Sequence, residues 1–549
     1  MRVQDASVNS DARPLMDIIG ERVARTQAKY HRWAKTDRTL RFGDLFNLVS
    51  RPDYLLVAWE HVAGNKGART AGIDGVTVRQ IVQRGEVGAL LSGIAAGLRD
   101  GTYRPSPVRR VLIPKPGGKS RPLGIPTVAD RVVQQSLRMV LEPIFEADFL
   151  PVSYGFRPKR RAHDAVAEIH YYATRGYRWV LDADIEGCFD NIDHQVLLDC
   201  VRARIKDKKT VALVRAFLKA GVMTDLGLES ASSTGTPQGG IISPLLANIA
   251  LSVLDEAIMA PWAPGGEQAT QSGRARRRAK GLGNWRIVRY ADDFVIMTNG
   301  SREDVVRLQE QVREVLAGLG LRLSAAKTQI THLSKGIDFL GFHIQWRQRR
   351  GGGKWFCMVF IADKAFSRIK ATIRNLTPRR SPRPLTDVIV EVNAALRGWM
   401  YYFRHAIAGR RFSFLRYFTW RRIVAWQREQ HRWGWTKVTR WLRRPDGTWR
   451  PLATEDVVLL SRRPTPRPTA KSPYTRRARL RPQRRGEARE RYGVGSGTTR
   501  PTDEKGAQPP HTRRSASAAV GDQESRACPS SCVPLPCHVG RAAGLVRQG

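Results

Sequence analysis

Apolar and polar positions alternate differently in successive stretches of this chain. Residues 1–100 read as mostly helical, interrupted by the turn-rich "NKGARTAGIDG". From Gly101 to about Ile344, strand-like and helix-like segments mix. "VRRVLIPKPGGKSRPLGIP" has a hairpin pattern, with Val111 and Ile113 before a Pro-Gly-Gly turn and Leu123 and Ile125 after it. "YRWVLDADI" reads as a buried strand. "RIVRYADDFVIM" reads as two strands joined by a tight turn, with Ala291, Asp292 and Asp293 at the bend. Val305, Leu308, Val312, Val315 and Leu319 recur at helical spacing and are stopped by glycines. After Ala365 the pattern becomes long basic, aromatic helices. Thr386 is the expected cap of one that buries Ile389, Val392, Leu396, Trp399 and Phe403. Trp420, Trp426, Trp433, Trp435 and Trp441 follow among many arginines, most of them expected in the core. Beyond Ser461 the periodicity gives way to Pro-, Arg-, Gly- and Ser-rich text, which predicts disorder. These elements together predict an α+β body.

Charge changes the picture most. The 549 residues carry a formal net charge of +44 with a pI near 11.1, and basic residues run through the whole chain. Such an excess calls for a polyanionic partner along a continuous surface, above all nucleic acid. A hydrophobic fraction of 42% supports a globular body. The longest apolar segment, "IISPLLANIALSVLDEAIM", is interrupted by Ser243, Pro244, Asn248 and Asp255, so no membrane span is expected. The N-terminus lacks a secretory pattern, and six cysteines without a regular framework fit a reducing, cytoplasmic setting.

Within this frame the paired acids Asp292 and Asp293 stand out, because adjacent carboxylates repel unless a cation offsets them. In "WVLDADIEGCFDNIDH", Asp182 and Asp184 alternate with apolar residues and would project from one face of a strand. Paired beside the hairpin, that strand would bring one of them to Asp292 and Asp293. Three carboxylates at adjoining strand ends can hold two Mg²⁺ ions about 3.5–4 Å apart for in-line phosphoryl transfer. Magnesium accepts such sites, with few protein carboxylates and several substrate oxygens.

"NKGARTAGIDG", "PVRRVLIPKPGGKSRPLGIPTVADRVVQQSL", "SYGFRPKRRAHDAV", "DADIEGCFDNIDH", "GTPQGGIISPLLANIAL", "YADDFVI", "LSAAKTQIT", "FLGFHI" and "LRGWMYYFRHA" follow one another over about residues 40–450. In that order they resemble the reverse transcriptases encoded in bacterial group II introns, which also act as maturases. The resemblance implies a right-hand polymerase, RNA-directed DNA synthesis and assistance to splicing and retromobility. It implies a helical extension over 1–100, fingers and palm over 101–345, a helical thumb or maturase domain over 366–450, and a disordered tail over 461–549. The metal ligands it implies are Asp184, Asp292 and Asp293 with the Ile185 carbonyl; Asp182 is the lesser candidate. Phe189 would exclude a ribose 2′-hydroxyl, Lys115 and Arg121 would meet the triphosphate, Gln238 would pack beside the sugar, and Lys327 would lie near the phosphates. Taken as residues alone, Phe189 also reads as core, Gln238 as a turn, and Lys115 and Arg121 as solvated hairpin charges.

For RNA binding, the resemblance and the basic text point to Arg157, Arg404, Arg416, Arg421 and Arg422, the last four expected to face outward from the thumb. The basic loop "GGEQATQSGRARRRAKGLGN" is either a second nucleic-acid surface or a solvated insertion. Expected partners are the group II intron RNA, an RNA template with a DNA primer, deoxynucleoside triphosphates and target DNA. Many relatives end in a zinc-stabilised endonuclease; Cys528, Cys532, Cys537 and His538 sit in Pro-rich text, and no such domain is expected. Two alternatives stand beside this reading: a maturase that only binds RNA, and a reverse transcriptase of another bacterial retroelement lineage.

Overall fold

The computed structural model describes residues 8–114, 120–224, 227–229, 239–348, 351–378, 382–448, 450–454 and 456–460; the side chains of 8–14, 121, 222, 224 and 227–229 lie outside that description. All of these residues fall in one compact unit, Met1–Gln483. Its N-terminal part is helical, with Val8–Thr36, Pro52–Gly64 and Val87–Arg99 as the longer elements. Helix Val8–Thr36 lies on Val128–Asp148, where Gln27 donates to the Met139 carbonyl at 2.9 Å. Val128–Asp148 starts where the Thr127 side chain accepts from the Asp130 amide, satisfying one of the donors that a first helical turn leaves open. The predicted hairpin forms from Val108–Pro114 and Ser120–Ile125, with Val111 opposite Leu123.

The centre is a four-stranded antiparallel sheet in the spatial order Trp285–Tyr290, Asp293–Thr298, Trp179–Asp184, Gln329–His332. Period-two alternation lets the strands other than the edge strand Gln329–His332 send residues into a core on either face. Leu181, Ala183, Ile287, Phe294 and Ile296 join the core shared with the N-terminal helices. Val180, Val288, Val295 and Met297 join the opposite core, shared with the C-terminal helices. Asp182, Asp184 and Asp293 have the parity of this second face, so the acids emerge where the apolar strand ends.

The helical segment Ser243–Trp262 is apolar enough, by length and composition, to cross a membrane, but here its helix Ser243–Met259 is a core helix: Leu246, Ala250, Leu251, Leu254 and Ile258 are all buried. Beyond the sheet, the strands Ile337–Phe339, Phe342–Gln348 and Trp355–Ile361 lead to helices Asp363–Leu376, Leu385–Tyr402, Gly409–Gln430 and Trp435–Leu442.

Several local expectations change. Asp293 is the first residue of its strand rather than part of the bend. Thr386 lies inside helix Leu385–Tyr402, whose cap position is Pro384, because proline's fixed φ already suits the approach to a first turn. Trp426 is core, whereas Trp435 is 64% exposed. The basic segment before the hairpin contains a helix, Gln271–Ala279, capped by the Thr270 side chain. The stretch beyond Ser461 lies outside the described residues.

Candidate active site

The two acidic segments meet at the end of the central sheet. In the strand register Asp184 stands directly opposite Asp293, and Ala183 opposite Phe294. Asp292 sits in the two-residue connection between Tyr290 and Asp293, next to Ala291, whose φ is +58°. A left-handed alanine costs energy and persists only when its surroundings hold it.

Two contacts hold it. The Arg289 guanidinium, fully buried, donates to the Ala291 carbonyl at 3.0 Å and to Asn248 Oδ1 at 3.0 Å. It is itself paired with the fully buried Asp255 at 2.5 and 2.8 Å. On the other side Gly155 approaches so closely that a Cβ there would lie 2.4 Å from the Ala291 nitrogen, and the Gly155 carbonyl accepts from Asn248 at 2.9 Å. Only glycine fits that approach. In the sequence Asn248 and Asp255 show only as polar interruptions of an apolar segment, and Arg289 as a charge inside a buried strand; the fold brings the three together behind the turn. Buried charges of this kind require partners.

The carboxylates occupy the floor of a cleft of about 600 Å³, also lined by Ile185, Phe189, Tyr290, Lys327 and Phe156. Directly opposed like charges destabilise a sheet. Desolvation in this floor, then the charges of Asp292 and Asp184 and a hydrogen bond shared with Asp184, push the Asp293 carboxyl up to about 7; Lys327 opposes the shift. Lys327 Nζ lies 2.6 Å from Asp184 Oδ2. Asp182, on the same face, accepts from Gln329 at 3.1 Å, and its carboxyl is raised first by burial. It lines a neighbouring cleft with Asp338 and His343, which pair at 2.7 Å.

Among the described residues no three acidic, histidine or cysteine side chains close into a complete cation cage. Asp184 and Asp293 converge as a pair, and Asp292 adds its charge from the turn. That open set, negative and short of counter-charge, fits a hard divalent cation whose remaining ligands are water and substrate oxygens. The bridge between Ile185 and Leu323 uses the Asp184 carbonyl and the Glu186 amide, so it does not consume the Ile185 carbonyl.

A pH dependence follows from the raised Asp293. Without divalent cations the folded state keeps a proton that the unfolded chain releases near pH 4, so stability is expected to fall as pH rises from about 4 to about 7, then level off. Mg²⁺ is expected to raise the melting temperature at about pH 8 and to have little effect at about pH 5. Thermal melts in EDTA and in Mg²⁺ check this, with Asp293→Asn expected to flatten the profile.

Of the other sequence candidates, Phe189 is half-buried at the cleft wall, with one side against the core. Lys115, Gln238 and the Arg121 side chain lie outside the described residues. Arg157 is a correction: it is 6% exposed, pairs with Glu146 at 2.7 Å, and donates to the Leu150 and Ser153 carbonyls. With its donors spent inside the fold, it is an anchor and not an RNA contact. Arg422 is a second correction, turned inward onto the Thr377 carbonyl and hydroxyl. Arg404 is half-buried on the Tyr401 ring at 3.7 Å, Arg416 is half-buried, and Arg421 is exposed beside Tyr417. Cys188 is buried in the core beside the cleft.

Comparison with known proteins agrees with this geometry. Residues 113–344 match the family model described as reverse transcriptase (RNA-dependent DNA polymerase), and 366–445 match the group II intron maturase-specific domain. Protein YkfC of Escherichia coli K12 is 39% identical over 350 residues, 60% of this chain and 90% of that protein. The group II intron-encoded protein LtrA of Lactococcus lactis is 37% identical over 359 residues, 57% of this chain and 58% of LtrA, so the chain spans little more than half of LtrA's length. Nuclear intron maturase 1 of Arabidopsis thaliana is 26% identical over 290 residues, 39% of this chain and 40% of that protein.

Proposed function

The chain belongs to the group II intron reverse transcriptase/maturase family, and from that premise we propose that it copies its own intron RNA into DNA at the Asp184–Asp293 cleft and assists the intron's splicing and mobility. It is an RNA-directed DNA polymerase with a maturase-specific domain behind the catalytic one. Enzymes of this family use divalent metal ions; the proposal is that two Mg²⁺ ions serve here, held by Asp184, Asp292, Asp293 and the Ile185 carbonyl. Such ions supply Lewis acidity at the phosphate and lower the pKa of the attacking 3′-hydroxyl. The observation that carries the reading is the juxtaposition of Asp184 and Asp293, from segments more than a hundred residues apart, in a cleft large enough for a nucleotide.

The chain's own side chains would do the rest. Phe189 would lie against the sugar and leave no room for a 2′-hydroxyl. Lys327 would give up its contact with Asp184 and turn to the incoming phosphates, a point charge suited to them. Lys115 and Arg121 on the hairpin and Gln238 would complete the nucleotide's surroundings. DNA synthesis would begin at the 3′ end of a DNA primer, with target DNA one source of such ends.

Primer extension on an RNA template, using purified full-length protein, tests the proposal. DNA product dependent on deoxynucleotides and Mg²⁺ is expected; tight RNA binding without any product would leave only a splicing role. Phe189→Val is expected to let ribonucleotides compete, raising their incorporation relative to deoxynucleotides by about 10- to 100-fold. Unchanged discrimination would return Phe189 to the core.

A further inference from the structure

Helix Gln271–Ala279 lies outside the cleft and has no part in the chemistry above. Residues 263–284 carry five cationic side chains, Arg274, Arg276, Arg277, Arg278 and Lys280, against one acid, Glu267. The helix has no apolar face of leucines or valines to bury. Two of its arginines take that role. Arg274 lies over the Trp262 ring at 4.8 Å and donates to the Gln268 and Ala269 carbonyls. Arg277 lies over the Trp285 ring at 5.1 Å and donates to Glu267 and to the Gly283 carbonyl. Tryptophan offers the most favourable ring face for a cation–π contact. The segment is pinned at both ends by fully buried amides: Gln268 accepts from the Trp285 amide at 3.1 Å, and Asn284 donates to the Arg274 carbonyl at 3.1 Å.

This arrangement consumes Arg274, Arg277 and the sole acid, and it turns Arg276, Arg278 and Lys280 to solvent. Arg276 and Lys280 stand one turn apart, about 6 Å along the axis, comparable with the separation of consecutive phosphates on one strand. Cations in a last helical turn do offset the helix dipole, but that requires one or two of them and no stapled support. A rigidly mounted cluster of outward cations with its local acid already neutralised matches a polyanion's backbone, not an apolar or mixed protein surface.

We propose that the exposed face of helix Gln271–Ala279, with Lys280 just after it, forms a docking platform for the phosphate backbone of a double-helical segment of the intron RNA, separate from the template cleft. The proposal rests on the intron-RNA reading above but adds a second site to it. Recognition here is of backbone shape and charge, since the deep groove of A-form RNA hides its bases from side chains.

The test uses full-length protein with Arg276→Ala, Arg278→Ala and Lys280→Ala combined, leaving Arg274 and Arg277 in place. Binding is measured to RNA transcribed from the DNA flanking the reading frame, and to a blunt RNA duplex, between about 50 and 200 mM salt. Removing three phosphate contacts is expected to make the salt dependence shallower by about two to three units of slope, so that the wild type loses roughly 16- to 64-fold more affinity than the variant over that range. Primer extension on a short oligonucleotide template and the melting temperature are expected to stay unchanged. Arg276→Lys with Arg278→Lys, on native Lys280, is expected to keep the wild-type slope, as backbone charge alone requires. An unchanged slope with both RNAs, in a variant that melts like wild type, overturns the proposal, as does loss of affinity for an acidic protein instead of RNA. Failure of primer extension in the wild type would strike the proposed function and leave this measurement intact.

Discussion

Asp184→Asn and Asp292→Ala are each expected to cut cDNA synthesis by at least about a thousandfold, some 4 kcal/mol of transition-state stabilisation, while leaving the fold intact. Asp184 faces Asp293 across a strand pair, and Asp292 adds a third negative charge from the adjoining turn. A side chain that helps only to hold a cation at the reacting phosphate acts in the transition state, so its removal lowers the turnover rate more than template or nucleotide binding. The stability outcome has the opposite sign. These carboxylates repel one another, and removing one relieves the strain that burial and proximity place on Asp293. In EDTA both variants are therefore expected to melt at or above the wild-type temperature; in Mg²⁺ the wild type alone is expected to gain. Primer extension and thermal melts on the same preparations check both halves. Synthesis within tenfold of wild type for either variant would remove these acids from the chemistry.

Sequence reached the site because its elements are local. Strand alternation around "DAD" and the apolar runs flanking "ADD" put the acids at strand ends, and period two alone determines that Asp182 and Asp184 share a face. Which of the two meets Asp293 is not local, since it depends on a pairing across more than a hundred residues: periodicity leaves both open, the family resemblance points to Asp184, and the registered sheet sets Asp184 opposite Asp293. The thumb helices were legible from their spacing, but the direction of single arginines was not. Arg157 and Arg422 look like every other arginine of a basic chain until the fold supplies carbonyl and carboxylate acceptors that spend their donors. Charge composition predicts a polyanionic partner; it does not say which cations remain to meet it. The same ambiguity hid helix Gln271–Ala279, whose inward face is made of arginines on tryptophans and gives no apolar period to find.

The buried pair behind the turn separates holding the fold from aiming the acids. Arg289→Met leaves Asp255 charged, fully buried and without its bidentate partner, and is expected to cost about 3–5 kcal/mol of stability. Adding Asp255→Leu removes the orphaned charge, and an apolar pair of similar volume is expected to recover most of that loss. Position is not recovered with it. The Ala291 carbonyl and Asn248 Oδ1 still lack the guanidinium that held them, and Ala291 at φ +58° has reason to relax toward the ordinary region. Asp292 would move with it, by a distance that near-attack geometry does not tolerate. The double variant is therefore expected to melt near wild type, synthesise cDNA about 10- to 100-fold more slowly, and need more Mg²⁺ to reach half its maximal rate, with little change in template binding. Arg289→Lys keeps the charge but not the fork, and is expected to fall between the single and the wild type in stability. Recovery of both melting temperature and rate in the double variant would show that Gly155 packing alone suffices to hold the turn, and would assign the ion pair to stability only.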